Sequence, residues 1–182
     1  MLIGITGTPG TGKTSVSNHL RKKGYVVFEL NKIAEDQKFF CGIDEKRDTK
    51  LVDVEKLNNF LLTNYKGNKD IIFFEGHISH LLSAMDKIII LRCKPDILIK
   101  RLQQKNWSEN KISENLEAET LDVILSESAQ RFDEKHLFEI NTTDKTTDEV
   151  TDEFEEIIKN DFKPMKKYNI GKLDWSDEII QK

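Results

Sequence analysis

Several features of membrane, secreted and nucleic-acid-binding proteins are missing from this chain of 182 residues. Its two cysteines, Cys41 and Cys93, do not form a C-x-x-C pair, so we expect free thiols in a reducing compartment. No apolar run approaches the roughly 20 residues of a membrane-spanning helix. The formal net charge is −4, which argues against strong direct binding of nucleic acid and against a general basic surface.

The fractions of hydrophobic and charged residues are those of an ordinary globular protein. Hydrophobic residues make up 37% and charged residues 33% of the sequence, which indicates one domain with a real core and a heavily charged surface. An apolar strand from Leu2 to Ile5 runs straight into a glycine-rich loop, so we expect no cleaved signal peptide. We predict a soluble, cytoplasmic and monomeric protein.

The glycine-rich loop carries the strongest motif. Residues 7–14 read G-T-P-G-T-G-K-T, which matches the phosphate-binding pattern G-x-x-x-x-G-K-T between a strand and a helix. The glycines let backbone N–H groups converge on an anion at the helix N-terminus, and Lys13 can reach the β- and γ-phosphates. The Thr14 hydroxyl is a ligand for Mg²⁺. The predicted triphosphate site consists of Gly7, Pro9, Gly10, Thr11, Gly12, Lys13, Thr14 and Ser15.

Strand-like and helical patterns alternate along the chain. This order predicts an α/β, three-layer sandwich with a parallel sheet of about five strands and helices on both faces. The predicted strands are 2–5, 25–30, 71–75, 86–91 and 136–141, and the helices include 14–23, 31–40, one capped by Asp53, one opened by Pro95, and a long helix at about 111–135. Residues 1–160 form the predicted domain. For the tail, 161–182, a disordered end and a docked segment remain open alternatives.

A carboxylate and a histidine follow the predicted central strand. Glu75 closes an apolar run at the end of the sheet where ligands bind in such folds, so it can orient Mg²⁺ or its waters. His77 can contact a phosphate or position an attacking water, and an ordinary hydrogen-bonded loop histidine is the alternative. Glu75, His77 and His80 are also a conceivable zinc set, although no fourth ligand is evident.

Cations cluster around the next predicted strand and helix. Arg92 follows a strand end, and Arg101 and Lys105 lie four residues apart on one helix face beside a polar break. Phosphoryl transfer depends on positioning and charge neutralisation, so we predict that Arg92, Arg101 and Lys105 contact the phosphates. A solvated basic face is the alternative for the last two residues. Trp107 can pack over a base or anchor the mobile segment.

Five separated segments carry a resemblance to a known family. They are residues 7–14, 42–45 with Asp53, 75–77, 91–102, and 106–119 with its Glu117-Ala-Glu119 end. In these segments the chain resembles the nucleoside monophosphate kinases, and more narrowly the adenylate kinase isoenzyme 6 family of nuclear and archaeal adenylate kinases. The resemblance covers about residues 1–158, and its short cysteine-free lid with the E-x-H element is more specific than the phosphate loop alone.

The resemblance implies an activity and a set of partners. ATP·Mg²⁺ would lie on the loop, AMP or another nucleoside monophosphate near residues 31–54, and a lid of about residues 105–113 would close over both. Lys13, His77 and Arg101 would be catalytic. The family transfers phosphate between ATP and AMP, hydrolyses ATP, and is associated with maturation of the small ribosomal subunit through a small-subunit ribosomal protein. Lys105 stands where larger adenylate kinases have Arg, which gives a point charge instead of a planar fork.

Two other functions compete with this one. In the first, the protein is a ribosome-assembly ATPase switch with only residual kinase activity. In the second, it is a kinase for a small metabolite such as shikimate or gluconate, which the E-x-H element disfavours.

Overall fold

The computed structural model describes residues 1–44 and 49–175. The strands are β1 (Leu2–Thr6), β2 (Val26–Glu29), β3 (Phe40–Asp44), β4 (Thr49–Val52), β5 (Ile72–Glu75), β6 (Lys87–Arg92) and β7 (Leu137–Asn141). The helices are α1 (Lys13–Lys22), α2 (Leu30–Asp36), α3 (Val54–Asn64), α4 (Pro95–Gln103), α5 (Glu109–Thr120), α6 (Val123–Arg131) and α7 (Thr147–Lys159).

Five strands form one parallel sheet in the order β2-β5-β1-β6-β7. The central strands are buried apolar runs, as expected where helices cover both faces. Ile5 pairs with Glu75 of β5 and with Ile89 of β6, and Glu75 pairs with Glu29 of β2. The carboxyl ends of β1, β5 and β2 therefore lie side by side, and the predicted fold class is confirmed.

The core consists of two clusters, one on each face of the sheet. Val16 and Leu20 of α1 and Phe154 of α7 bury their side chains in the first cluster. Leu57 of α3 and Leu125 of α6 lie in the second. These helices expose their opposite faces, so their apolar positions determine which side of the sheet they cover.

Two predicted helix boundaries are explained by local residues, and one predicted helix is divided in two. The side chain of Asp53 accepts a hydrogen bond from the Lys56 amide and caps α3, as predicted. Pro95 opens α4, also as predicted. The single long helix predicted at about 111–135 was wrong, because Asp122 adopts a left-handed conformation with φ of 54° between α5 and α6.

One further segment was not predicted as the structure has it. Residues 40–44 and 49–52 form a small antiparallel hairpin, β3–β4, which was not among the predicted elements. Glu45, the last residue of the segment 42–45 that carries part of the family resemblance, lies outside the described residues. The described part of the tail docks on the body, with Tyr168 buried in the first core cluster and Ile170 packed against the second. No helix in the described ranges has the length and apolar character needed to cross a bilayer.

Candidate active site

The loop between β1 and α1 has the backbone conformation that the motif predicts. Gly7, Gly10 and Gly12 have positive φ angles of 141°, 96° and 99°, which L side chains rarely adopt. A Cβ on Gly7 would lie 2.4 Å from the carbonyl oxygen of Leu91, and one on Gly10 would lie 2.7 Å from Leu98. The glycines thus allow the loop to pack directly on β6 and α4.

Lys13 points its ammonium group back into this loop. The Nζ atom donates hydrogen bonds to the carbonyl oxygens of Gly7, at 2.7 Å, and Thr8, at 3.2 Å. Burial lowers the pKa of Lys13 to about 8, partly offset by the negative charge of Glu75, and Lys105 lowers it further. A bound polyphosphate would supply the negative charge that this buried cation lacks. Thr14 and Ser15 are exposed on the first turn of α1, where they face solvent.

Two carboxylates lie next to each other at the strand ends beside Lys13. Glu75 ends β5 and pairs with Glu29, which ends β2. Burial raises the pKa of Glu75, Lys13 lowers it in part, and the negative charge of Glu29 raises it again. Arg21 of α1 forms a 3.0 Å salt bridge with Glu29. Glu29 was not predicted from the sequence as a site residue, although it closes its strand as Glu75 does.

The two predicted histidines occupy different environments. His77 is exposed, and partial desolvation followed by the positive charge of Lys13 lowers its pKa. His80 is buried, and its ring nitrogens lie 3.1 Å from Thr6 Oγ1 and 2.8 Å from Glu127 Oε2. Within the described part of the chain, no group of three or more His, Cys, Asp or Glu side chains is arranged to bind a metal ion. The alternative zinc set is therefore not formed.

The segment predicted as the lid, residues 105–113, comprises the turn between α4 and α5 and the first five residues of α5. Lys105 Nζ lies 5.1 Å and Lys111 Nζ 4.3 Å from the ring centre of Trp107, so two cations contact one aromatic side chain. Lys105 lowers the pKa of both Lys13 and Glu75, which places its charge within electrostatic reach of the phosphate loop. Trp107 also packs against the small apolar cluster between α4 and α5.

Arg101 lies on the side of the loop opposite to the carboxylates. Its guanidinium donates hydrogen bonds to the carbonyl oxygen of Thr142, at 2.9 Å, and to Thr142 Oγ1, at 3.3 Å. The Thr142 hydroxyl in turn donates to the carbonyl oxygens of Thr11 and Arg92. The segment after β7 thus contacts the phosphate loop. This contact was not predicted from the sequence. The signal for it there is a threonine pair directly after a strand.

Arg92 does not fit the predicted role of a phosphate-contacting cation. Its side chain is 2% exposed and forms salt bridges with Glu119, Asp122 and Glu139. A further donor of the guanidinium binds the main-chain oxygen of Glu119. Four donor interactions are thus directed at protein oxygens, so the prediction for Arg92 is corrected to a structural or positioning role.

Comparisons with known proteins show what this chain resembles. The profile of a family described as "AAA domain" matches residues 3–122. A solved structure of shikimate kinase from Acinetobacter baumannii superposes with a TM-score of 0.59 at 16% identity, over 88% of this chain and 93% of that one. At that identity the likeness concerns the fold alone. It shows that this chain and that protein share one fold.

Two curated relatives match almost the whole chain, and both have the name "Putative adenylate kinase". The protein from Archaeoglobus fulgidus is 45% identical over 98% of this chain and 94% of its own length. The protein from Methanosarcina acetivorans is 38% identical over 98% of this chain and 100% of its own length. The chain therefore belongs to the same family as these archaeal proteins named "Putative adenylate kinase".

Proposed function

We propose that this protein is a nucleoside monophosphate kinase that transfers the γ-phosphoryl group of ATP to AMP or a related monophosphate. The observation that supports it most is the position of Lys13. Its buried ammonium group donates hydrogen bonds to the loop carbonyls of Gly7 and Thr8 and interacts with the charge of Glu75 at the end of β5. This position suits neutralisation of a phosphate chain. The chain is also 45% identical to a protein named "Putative adenylate kinase".

The residues around Lys13 fit ATP and Mg²⁺. Loop amides at the N-terminus of α1 would bind the phosphates, and Lys13 would contact the β- and γ-phosphates. The Thr14 hydroxyl and the Glu75 carboxylate are hard oxygen donors of the kind that Mg²⁺ and its water ligands prefer. When bound, the ion supplies charge neutralisation on the phosphate oxygens. Arg101, from α4, and Lys105, from the lid, would then contact the transferred group.

The acceptor needs little chemical activation in this reaction. A monophosphate is already anionic, so in-line attack on the γ-phosphorus requires positioning and not a strong general base. We assign the acceptor to the space bounded by α2, the β3–β4 hairpin and the Glu75–His77 segment. We propose bounds of about 31–54 for this acceptor region and of about 105–113 for the lid.

A coupled assay with ATP and a panel of AMP, dAMP, CMP and UMP tests the proposal. We expect Lys13→Ala to lower kcat/KM by at least about a hundredfold, because it removes the buried cation at the phosphates. Lys22→Ala is the matched control, since Lys22 is an exposed lysine on the same helix. If the folded, ATP-bound wild type transferred phosphate to none of the four acceptors, the proposal would be rejected.

ATP hydrolysis is a second candidate activity, and the environment of His77 supports it. This exposed imidazole has a lowered pKa, so it is available as a neutral group to orient a water. We expect His77→Ala to reduce hydrolysis more than transfer, and equal losses would contradict this role. Association with a small-subunit ribosomal protein rests on family resemblance. Retention of that partner from extract should differ between ATP and ADP if hydrolysis controls release.

A further inference from the structure

A buried group of charges lies directly behind the phosphate loop and takes no part in the reaction proposed above. Its centre is Arg92, which contacts Glu119 of α5, Glu139 of β7 and Asp122 of the turn after α5. The Arg92 and Glu119 side chains are each 2% exposed. Buried charges of this kind are stable only when their donors and acceptors are satisfied.

Glu119 uses both carboxylate oxygens in this arrangement. Oε1 accepts hydrogen bonds from Arg92 Nε, at 2.8 Å, and from the Cys93 amide, at 3.0 Å. Oε2 accepts a hydrogen bond from the hydroxyl of Thr8, at 2.5 Å. Thr8 is a residue of the phosphate loop. The bond is charge-assisted and buried, a class that is stronger than neutral hydrogen bonds at the surface.

Thr8 is also the residue on which other loop contacts converge. Its carbonyl oxygen accepts hydrogen bonds from the Thr11 amide at 3.2 Å, from Thr11 Oγ1 at 2.9 Å and from Lys13 Nζ at 3.2 Å. A change in the orientation of Thr8 would therefore displace the donors that are to face the phosphates. The Glu119 carboxylate, through the Thr8 hydroxyl, restricts that change.

We propose that Glu119 is a positioning residue of the phosphate loop, kept in place by Arg92 and acting through the Thr8 hydroxyl. Glu119 lies on α5, whose first residues belong to the proposed lid, so the same contact joins the lid helix to the loop. The inference rests on the proposed function, because it concerns ATP binding by this loop.

A merely structural role and a positioning role make different predictions. If the cluster only stabilises the fold, its variants melt at lower temperature and bind ATP normally while folded. If Glu119 positions Thr8, the variants bind ATP weakly even well below their melting temperature. In that case, the loss should appear in the Kd and KM for ATP, with little change in the KM for the acceptor.

The experiment uses isosteric variants of the full chain. Glu119→Gln removes the charge and keeps an oxygen acceptor for Arg92, but it turns an NH2 donor toward the Thr8 hydroxyl in place of the carboxylate oxygen. Thr8→Val removes the hydroxyl and leaves the contacts between Arg92 and Glu119 in place. Glu117→Gln is the matched control, because Glu117 is an exposed glutamate on the same helix. Calorimetry with ATP and Mg²⁺, melting curves and steady-state kinetics are measured for each variant and for the double variant Glu119→Gln with Thr8→Val.

We expect Glu119→Gln to raise the Kd for ATP about tenfold, which corresponds to about 1.4 kcal/mol, and Thr8→Val to raise it severalfold. The double variant should bind no worse than the weaker-binding single variant, because both changes act on the same contact between Glu119 and Thr8. Glu117→Gln should match the wild type. ATP affinity within twofold of wild type in Thr8→Val would overturn the inference, even if Glu119→Gln fails to fold. Effects on the Kd that multiply in the double variant would also overturn it. Absence of ATP binding by the wild type would instead overturn the proposed function, and the inference with it.

Discussion

The ammonium group of Lys13 has a pKa of about 8 because burial disfavours its charge and Lys105 adds repulsion, against the attraction of Glu75. The group is charged below that pH and neutral above it. Since kcat/KM reports the ionisations of the free enzyme, kcat/KM for ATP should be level near neutral pH. It should then fall about tenfold per unit well above pH 8.

A variant at Lys105 separates this explanation from a general alkaline loss of activity. Lys105→Ala removes a positive charge that lowers the pKa of Lys13, so the fall in kcat/KM should begin at higher pH, whatever the absolute rate. A profile of the wild type that stays level up to the ordinary lysine value of 10.5 would show that Lys13 does not titrate in this way.

Arg92 offers a stability prediction at the same scale. Arg92→Met would leave Glu119 and Glu139 buried beside each other without a cation, and burial already raises the pKa of Glu139. Removing one partner of a buried ion pair costs about 3–5 kcal/mol in the free energy of unfolding. Denaturant unfolding measures it. Arg131→Met, at an exposed arginine of α6, should change stability by less than about 0.5 kcal/mol, and an equal loss in both variants would contradict the prediction.

The environment of Arg92 could not have been predicted from local sequence. A cation at a strand end next to a phosphate loop favours a functional interpretation, and the residue types around it do not oppose this. Its partners Glu119, Asp122 and Glu139 follow 27, 30 and 47 residues later. Only the packing of α5 and β7 against β6 brings their carboxylates together. The environment of Lys13 was predictable because its hydrogen-bond partners lie in its own loop.

At the scale of elements, the close packing of the loop on β6 gives a test that uses two glycines. Gly7→Ala would place a methyl group 2.4 Å from a backbone oxygen of β6, at a φ of 141°. Strain and overpacking together should cost at least about 3 kcal/mol of stability. Gly24→Ala has a φ of 92° and open space, so it should cost about 1 kcal/mol. Thermal unfolding should therefore give a clearly lower melting temperature for Gly7→Ala than for Gly24→Ala. Similar losses of stability in the two variants would show that the clash with β6 does not contribute.

The elements themselves were predictable to different degrees. The five strands of the main sheet are apolar runs such as Ile72–Glu75, so composition alone indicated them. The β3–β4 hairpin was missed because its residues are mostly exposed and lie in a separate two-stranded sheet, without the apolar pattern of a core strand. The break between α5 and α6 was missed because the left-handed conformation of Asp122 coincides with its contact to Arg92, a tertiary effect.

At the scale of the whole molecule, the tail and the candidate site meet at one residue. The Lys172 amide donates a hydrogen bond to Glu139 Oε2 at 3.3 Å, and Glu139 Oε1 accepts one from Arg92. Contacts therefore run from the tail through Glu139 and Arg92 to Glu119 and the phosphate loop. The tail completes one side of the buried charged cluster, so its docking belongs to the same folding unit as the site.

Tyr168 is the residue that tests this view of the tail. Its ring is 2% exposed in the first core cluster, and its hydroxyl donates to Glu156 Oε2 at 2.5 Å. Tyr168→Ala should cost about 3 kcal/mol of stability, whereas Tyr168→Phe keeps the ring and should cost about 1 kcal/mol. For a chain of this size, the first loss corresponds to a melting temperature about 6–12 °C lower. Because the tail contacts Glu139, we expect the tail, the phosphate loop and the core to unfold in a single transition in both variants. Loss of the tail in a separate, earlier transition, with the rest of the protein melting like the wild type, would show that it is an independent appendage.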